Sequence, residues 1–380
     1  MSEDQWYAVG DTEHLASPAL LLWPERAQRN IQRMLELTGG DASRLRPHVK
    51  THKLGEVCQM QMAAGISKFK CATIAEAEMT AEAGAAEVLL AYQPVGPNAA
   101  RMLALVEKFP QTKFAALVDD EGVLKKVAQV FSAAGKSLTL FLDVDCGMHR
   151  TGIEMGEAAV ALCRQVVDTE GVDFGGLHVY DGHIHDPDQN ERKAHYEKSY
   201  EPLADFIAQL RAAGVELSLI VAGGSPTFAL HASDAEKVTG ARWECSPGTT
   251  VFWDAGYGTN FPDLGFEPAV VLMMRVISKP GSGFVCLDLG NKAVAPENPL
   301  DKRVKLFGPL ADGVLMGQSE EHLVVKTDRA ADFSVGDVVY GLPWHICPTV
   351  ALHMEAVLIR DGEASGERWA IKCRNRRLSI

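Results

Sequence analysis

The chain lacks the features that mark secreted, zinc-ribbon and membrane proteins. Its first residues, MSEDQWYAVGDTEHLASP, are acidic where a signal peptide has a basic start and an apolar run. No apolar run approaches the roughly 18 residues of a membrane span. The 8 cysteines are scattered without a CxxC pair, so neither a disulfide framework nor a zinc ribbon is indicated. We therefore expect a cytoplasmic protein with buried free thiols and no membrane segment.

An excess of positive charge is also missing. The net charge of -13 argues against general binding to nucleic acids or to anionic membranes. A hydrophobic content of 47% with 23% charged residues is ordinary for a globular protein. The length of 380 residues favours one large domain together with a smaller one.

Short apolar runs alternate with helical patterns from Arg44 to about Pro247. The candidate strands are RLRPHVK, KFKCAT, EVLLAYQ, FAALVD, LTLFLDVD, FGGLHVY, LSLIVAGG and ARWECSPG. Eight strand-helix units are typical of a (β/α)8 barrel. A doubly wound sheet is the alternative, but it usually has fewer strands and a glycine-rich loop after the first. We predict an α/β fold with a TIM-type barrel over residues 24–255.

The sequence after Phe261 has a different texture. Runs such as PAVVLMMRVISKP, GFVCLDLG and HLVVKTDR read as strands separated by Gly, Pro and Asp turns, with little helical pattern. This predicts a C-terminal all-β domain formed by residues 1–23 and 256–380. The early run PALLLW is compatible with pairing to this domain or with leading into the barrel.

The first barrel strand carries an unusual number of cations in LRPHVKTHK. Strand alternation predicts that Lys50 faces inward together with Arg46 and His48, whereas Lys53 falls in the following loop. Backbone amides and hydroxyls in the turns GGSPT and SPGTT, after strands seven and eight, suit a phosphate, although each turn alone is equally compatible with a plain turn. A phosphate site facing a lysine favours pyridoxal 5'-phosphate, whose aldehyde reacts with an amine. We choose Lys50 as that amine.

The segment RPHVKTHK resembles the lysine motif of the D-threonine aldolase and eukaryotic-type D-serine dehydratase family, which has the alanine-racemase-like fold (fold type III). The resemblance implies a barrel with a β domain and Lys50 as the Schiff-base lysine. DVDCGMHRTG implies that Arg150 approaches the phenolic oxygen of the cofactor, and GLHVYDG places His178 and Tyr180 near its ring. The implied phosphate residues are Gly223, Gly224, Ser225, Gly248 and Thr249. Ser246 stands where the racemases have an arginine at the pyridine nitrogen, which favours a fuller electron sink.

A candidate metal site lies in PWHICPTVALH. His345 and Cys347 alternate along a strand-like segment, and imidazole with thiolate suits Zn²⁺, although such a pair alone is more often two packed residues. The resemblance implies that the pair binds metal. The dehydratases of the family have His-x-Cys with zinc, whereas well-known aldolases have His-x-Asp with manganese or similar ions. We therefore favour zinc, with manganese as the alternative.

The resemblance implies a lyase acting on a small-molecule D-3-hydroxy amino acid. Retro-aldol cleavage to glycine and an aldehyde is the leading reaction, and elimination to a 2-oxo acid and ammonia is the alternative. An amino-acid racemase or a non-catalytic pyridoxal-phosphate-binding protein is a more distant interpretation. The second base is assigned to His185, with His183 and Asp186 as alternatives. The family also implies a homodimer, and the substrate side chain is left open.

Overall fold

The computed structural model describes residues 5–379, and the side chains of all of these except 234–239. The chain divides into two units. The first, which we call the β unit, contains the chain up to Arg33, Thr51–Leu54 and Thr249–Arg374. The second, the barrel unit, contains Met34–Lys50, Gly55–Gly248 and the chain from Asn375. Within the described residues, no helix has the length and apolar character needed to cross a membrane.

Strands and helices are numbered separately in chain order. The strands are β1 (Ala19–Leu22), β2 (Lys68–Cys71), β3 (Glu87–Leu90), β4 (Lys113–Val118), β5 (Leu138–Asp145), β6 (Ile153–Glu154), β7 (Val172–Val179), β8 (Leu219–Ala222), β9 (Arg242–Cys245), β10 (Val270–Ser278), β11 (Phe284–Leu287), β12 (Val304–Leu306), β13 (Val314–Gln318), β14 (Leu323–Lys326), β15 (Val338–Pro343), β16 (Glu355–Arg360) and β17 (Glu363–Ala370). The helices are α1 (Pro24–Leu37), α2 (Gly55–Ala63), α3 (Ile74–Glu82), α4 (Asn98–Lys108), α5 (Glu121–Ala133), α6 (Glu157–Asp168), α7 (Gln189–Ala212), α8 (Phe228–Thr239), α9 (Ala255–Asn260) and α10 (Ile346–Val350).

A ring of parallel strands forms the barrel unit. β2, β3, β4, β5, β7, β8 and β9 pair in that order, and the short β6 adds to β5. The segment 45–48 closes the ring, because it bridges Cys245 in β9 on one side and Lys70 in β2 on the other. The backbone N–H of Arg46 donates to the carbonyl of Cys245, and that of Lys70 donates to the carbonyl of Pro47 (both 2.9 Å). With this segment the ring has eight members, so the predicted (β/α)8 barrel is confirmed.

Local sequence explains the alternation of strands and helices in this unit. The strand β5 reads LTLFLDVD and is largely buried, as expected for a parallel strand covered on both faces. The helices α3 and α5 begin after Thr73 and Asp120, whose side chains accept hydrogen bonds from backbone N–H groups of the first turn. Gly135 follows the end of α5 at φ +63°, the left-handed conformation in which glycine commonly ends a helix.

A largely antiparallel sheet forms the β unit. Its strands follow the order β13, β14, β11, β10, β1, β16, β17, and β15 pairs with both β10 and β12. The strand β1 lies between β10 and β16, so the early run PALLLW belongs to this unit. Its core packs Leu21 against Val271, Met273, Val357 and Ile359. The predicted all-β domain is confirmed.

Candidate functional sites

Lys50 lies just beyond the ring segment 45–48, in the 3₁₀ turn Val49–Thr51. The prediction from strand alternation placed it within a strand, and that detail was wrong. The reason is local, because the backbone N–H of Lys50 donates to Nδ1 of His48 (3.2 Å) instead of to a neighbouring strand. Lys50 is half-buried, and its Nζ lies 5.9 Å from the centre of the Tyr180 ring. The side chain therefore still reaches the carboxyl end of the barrel.

Three cationic side chains surround the ring of Tyr180. The distances to the ring centre are 5.9 Å from Lys50 Nζ, 5.5 Å from Lys70 Nζ and 4.7 Å from Arg150 Cζ. Among the described residues, none of the three forms a salt bridge with a carboxylate. Cations that share a small volume without a direct salt bridge to a carboxylate repel one another, and an anionic ligand would relieve that repulsion. The arrangement fits the binding of an anion.

His178 lies in β7 beneath this cluster and is held by Asp143 in β5. Its Nδ1 lies 2.7 Å from Asp143 Oδ1, and because a carboxylate only accepts, Nδ1 carries the proton. Its Nε2 then accepts a hydrogen bond from the Lys70 amine (3.4 Å). Burial, followed by the charge of Lys70, lowers the pKa of His178. The imidazole is therefore neutral and fixed in one tautomer near neutral pH.

The two predicted phosphate loops meet in the barrel unit. The backbone N–H of Gly248 donates to the hydroxyl of Ser225 (3.1 Å). Gly223 adopts φ +72°, and a Cβ there would strike the ring of His231. A Cβ on Gly224 would lie 3.3 Å from the Tyr180 ring, so this backbone needs glycine to pass close to its neighbours.

Ser246 supplies an independent test of the cofactor. It is 4% exposed, and its Oγ is a buried polar atom without a hydrogen-bond partner in the described part of the chain. A buried hydroxyl without a partner is costly unless a ligand completes it. The resemblance assigns this position to the neighbourhood of the pyridine nitrogen, and a buried hydroxyl that lacks a partner is compatible with pyridoxal phosphate there.

A buried polar network supports the first phosphate loop. Asp181, 1% exposed, accepts a hydrogen bond from the hydroxyl of Thr227 (3.0 Å) and contacts Nε2 of His231 (2.8 Å). The hydroxyl of Tyr200 also donates to Asp181 (3.3 Å). Since Thr227 and His231 border Gly223, the network fixes the loop from below.

The histidines after β7 differ in their surroundings. His185, the residue assigned as second base, is exposed. Asp186 is paired with His195, 2.9 Å from its Nδ1, and this hydrogen bond lowers the pKa of Asp186. His183 is half-buried, stacks edge-on against His195 at 5.2 Å, and has its Nε2 3.3 Å from the Ser199 hydroxyl. Nδ1 of His183 is buried without a partner among the described residues. Burial, and then the charge of the neighbouring His195, lowers the pKa of His183.

The β unit holds the predicted metal pair at the start of a short helix. His345 precedes α10 and Cys347 lies in its first turn. The sequence predicted a strand through both residues, whereas the structure has a strand end followed by a helical turn. Nδ1 of His345 lies 2.7 Å from Oε1 of Glu297. The sulfur of Cys347 lies 3.2 Å from the hydroxyl of Thr51 and 3.7 Å from that of Thr249. Thr249, predicted for the phosphate, thus contacts the thiol within this unit.

Electrostatics couple the two candidate metal ligands. Burial lowers the pKa of His345, but the hydrogen bond and charge of Cys347, with Asp254 and Glu297, raise that pKa to about 9. Asp254 also accepts a hydrogen bond from the backbone N–H of Ile346 (2.9 Å), which fixes the turn between the two ligands. A carboxylate on one ring nitrogen is the usual partner of a metal-binding histidine.

The donor set fits a zinc ion with open coordination positions. One imidazole and one thiol are ligands that zinc prefers. Within residues 5–379, and leaving aside the side chains at 234–239, no group of three or more His, Cys, Asp or Glu is arranged to hold a metal. His345 and Cys347 are therefore a pair of candidate ligands and not part of a larger cluster in the described part of the chain.

Comparison with known proteins places the barrel in a family. The family described as "Alanine racemase, N-terminal domain" matches residues 24–253. The chain belongs to the alanine racemase N-terminal domain family. A second family, described as "Putative serine dehydratase domain", matches residues 269–359 of this alanine-racemase-like chain.

Three relatives of this member of the alanine racemase N-terminal domain family extend over nearly its full length. D-threonine aldolase of Arthrobacter sp is 29% identical over 370 residues, which cover 94% of this chain and 92% of that protein. The crystal structure of D-threonine aldolase from Filomicrobium marinum superposes with a TM-score of 0.86, at 28% identity, covering 96% of this chain and 97% of that one. The structure of D-threo-3-hydroxyaspartate dehydratase from Delftia sp. HT23 has a TM-score of 0.81 at 25% identity, covering 94% and 97%.

Solved variants of a D-threo-3-hydroxyaspartate dehydratase bear on the metal pair of this family member. In them a histidine and a cysteine two positions apart have each been changed to alanine, and the cysteine variant is described as the metal-free form. His345 and Cys347 have the same spacing.

Most of the predicted site residues lie together within one unit or the other. The structure gathers Lys50, Arg150, His178, Tyr180, Gly223, Gly224, Ser225 and Gly248 in the barrel unit, and His345, Cys347 and Thr249 in the β unit. Sequence reasoning missed Lys70, Asp143 and Glu297. Lys70 had a signal, because KFKC places lysines at alternate positions of a strand. Glu297 had none, since it lies 48 residues from His345.

Proposed function

We propose that this chain is a lyase that uses pyridoxal 5'-phosphate and a divalent metal to cleave D-3-hydroxy amino acids by retro-aldol reaction. With D-threonine the products are glycine and acetaldehyde. The observation that carries the proposal is the half-buried Lys50 amine beside Arg150 and Tyr180, in a barrel whose two phosphate-type loops meet. Similarity over nearly the full length to proteins named D-threonine aldolase supports it.

Bound pyridoxal phosphate would supply an electron sink for the negative charge that develops at the substrate α-carbon. The chain holds the ligand at three places. The Lys50 amine would bind the aldehyde, the loops at Gly223–Ser225 and Gly248 would bind the phosphate, and the Ser246 hydroxyl would face the pyridine nitrogen. A neutral hydroxyl at that nitrogen does not oppose its protonation, which suits cleavage of a carbon–carbon bond.

The divalent metal would supply a Lewis acid for the substrate 3-hydroxyl. His345 and Cys347 would bind it, and Glu297 keeps the imidazole in one orientation through Nδ1. We favour zinc because a thiolate is a soft ligand, with manganese as the alternative. The dehydratase variant in which the cysteine is changed to alanine is described as being in the metal-free form, and this supports the role of Cys347.

A base is needed to take the proton of the 3-hydroxyl. His183 is a better candidate than the exposed His185, because its ring is half-buried and neutral and its Nδ1 has no partner among the described residues. Asp186 is engaged with His195. We propose His183 as this base, and His185→Ala as the matched control for His183→Ala in a pH–rate profile of the cleavage.

Elimination to a 2-oxo acid and ammonia is the second candidate reaction. The observation that favours it is the His-x-Cys spacing of His345 and Cys347, which matches the positions changed in the dehydratase variants. In this case Lys50 removes the α-proton and the 3-hydroxyl leaves as water. The resulting enamine tautomerises to an imine, which water hydrolyses to the 2-oxo acid and ammonia. The two reactions thus differ in the bonds that break: the cleavage breaks the bond between the α- and β-carbons, and the elimination breaks the α-carbon–hydrogen and β-carbon–oxygen bonds. They share the residues that would hold the cofactor and the metal, but the base is His183 in the cleavage and Lys50 in the elimination.

Incubation with D-threonine decides between the reactions. Glycine and acetaldehyde support the aldolase, 2-oxobutanoate and ammonia support the dehydratase, and L-threonine-series products support epimerisation. The purified protein should be yellow, and Lys50→Ala should lose the colour while Lys53→Ala keeps it. A metal chelator should abolish turnover, and added zinc or manganese should restore it. Turnover that resists the chelator would contradict the role of His345 and Cys347.

We further propose that the barrel domain runs over residues 24–255 and that residues 1–23 and 256–380 form the β domain.

We also propose that the protein is cytoplasmic and forms a homodimer. Light scattering after size-exclusion chromatography measures the mass of the assembly against the 41.2 kDa of one chain. A single-chain mass at micromolar concentration would contradict the dimer.

A further inference from the structure

Lys70 is a buried lysine that the proposed reaction does not use. It lies in β2 and is 2% exposed. Lys68, two positions earlier on the same strand, forms a salt bridge with Glu244 and donates to the carbonyl of Ser43. The amine of Lys70 has no such carboxylate, and in the part of the chain that the structure describes the one hydrogen bond of this amine is with Nε2 of His178 (3.4 Å).

The charged groups around the Lys70 amine come from several elements of the barrel. Lys50 and Arg150 act on it from the loops at the carboxyl end, and the carboxylates that act on it are those of Asp143 in β5 and Asp181 after β7. His178 is neutral, and Tyr180 presents its ring at 5.5 Å. Burial lowers the pKa of Lys70 most, and the positive charges of Lys50 and Arg150 lower it further. The carboxylates of Asp181 and Asp143 raise it, and the resulting pKa is about 7. The amine is thus poised between its two forms near neutral pH.

We propose that Lys70 is a positioning residue of the cofactor site. It supplies a third positive charge at Tyr180, and the negative charge of the cofactor balances this charge on binding. The inference rests on the cofactor part of the proposed function and assigns to it a residue outside that proposal. Geometry carries it, because three cations share one aromatic ring at 4.7–5.9 Å without a salt bridge to any described carboxylate. A further anion beside a buried amine favours its charged form.

The consequence is that cofactor binding takes up a proton. If the bound anion raises the proton affinity of Lys70, the bound protein carries more protons than the free protein above pH 7. By linkage, the affinity for the cofactor then falls as pH rises from the pKa of the free state towards that of the bound state. Below pH 7 both states are charged, and this contribution to the pH dependence disappears.

The experiment uses cofactor-free protein and 4-deoxypyridoxine phosphate, which lacks the aldehyde and so does not react with Lys50. Calorimetry gives its affinity between pH 6.5 and 8.5 for the wild type, for Lys70→Met and for Lys126→Met. Methionine has nearly the length of lysine without the charge, and Lys126 is exposed on α5, so its variant controls for net charge. The ratio of wild-type to Lys70→Met affinity should fall by about fivefold to twentyfold over this range. Lys126→Met should follow the wild type.

Parallel pH profiles of the wild type and Lys70→Met would overturn the inference and leave the cofactor proposal intact. Absence of binding by the wild type at every pH would overturn the cofactor proposal and this inference with it. If Lys70→Met does not fold, calorimetry of the wild type at pH 7.5 in two buffers of different ionisation enthalpy reads the proton directly. About half a proton should be taken up, and zero uptake or release would overturn the inference.

Discussion

Glu244 in β9 anchors a buried ion network inside the barrel unit. It is 2% exposed and accepts hydrogen bonds from Nε of Arg46 (2.7 Å) and from Nζ of Lys68. Arg46 also donates to Glu87 (2.7 Å), whose side chain is 37% exposed. Two buried cations therefore depend on one fully buried carboxylate and one half-exposed one. The informative change is Glu244→Gln, which keeps the shape and removes the charge.

The expected loss follows from this unequal burial. Removing one partner of a buried ion pair costs about 3–5 kcal/mol, because the other charge is left without compensation. Glu87→Gln should cost about 1 kcal/mol, since water screens a half-exposed pair and Glu244 still neutralises Arg46. For a domain of this size, 1 kcal/mol corresponds to about 2–4 °C in Tm. Glu244→Gln should therefore lower Tm by about 6–20 °C.

Urea unfolding of the cofactor-free protein, followed by circular dichroism, measures the difference. Glu216→Gln is the matched control, because Glu216 is exposed; it should change the free energy of unfolding by less than about 0.5 kcal/mol. The reasoning is refuted if Glu244→Gln costs no more than Glu87→Gln, since burial would then not determine the value of the pair. An unchanged m-value in all three variants shows that the same unfolding is compared.

Asp181→Asn should lower the free energy of unfolding by about 2–4 kcal/mol, because it weakens two buried hydrogen bonds to a charged group; thermal unfolding beside the exposed Asp205→Asn checks this, and equal losses would contradict it. Gly223→Ala should weaken pyridoxal phosphate binding by at least about tenfold, measured by absorbance titration. Gly214→Ala has a similar positive φ with nothing within 4 Å of the added Cβ, so equal behaviour of the two would show that steric fit is irrelevant. Cys347→Asp should shift the metal preference from zinc towards manganese; a zinc content by mass spectrometry equal to that of the wild type would count against a role for the thiol.

Local patterns predicted the barrel because its elements are defined within short windows. Buried parallel strands such as β5 read as apolar runs, and side chains such as Asp120 mark helix starts a few residues away. The 3₁₀ turn at Lys50 was not visible, because it depends on the imidazole of His48 capturing a backbone N–H. The helical turn at His345 and Cys347 was likewise read as strand, since Asp254, about 90 residues earlier in the chain, fixes the N–H of Ile346.

Polar partners that are distant in sequence account for most of what the sequence left open. Asp143 and His178 are 35 residues apart, and Glu297 and His345 are 48 apart. Neither pair forms a periodic pattern or a motif, because the fold alone brings its members together. Arg150 and the loop at Ser225, which the resemblance of short motifs singled out, lie in the barrel unit and follow strands whose positions were predictable; their roles stay predictions.

The interior cations of the barrel separate into two kinds by their partners, which the string LRPHVKTHK alone does not reveal. Arg46 and Lys68 are neutralised by Glu244, so their charges are balanced whether or not a ligand is bound. Lys50, Lys70 and Arg150 surround Tyr180 without a salt bridge to the described carboxylates. Their mutual repulsion destabilises the folded state without ligand, and an anion relieves it. Part of the binding free energy of an anionic ligand therefore comes from removing repulsion that exists in the free protein. A ligand that binds the folded state alone stabilises it by RT ln(1 + [L]/Kd). The barrel should therefore gain more stability from a ligand that brings a negative charge to Tyr180 than from a neutral ligand of the same shape.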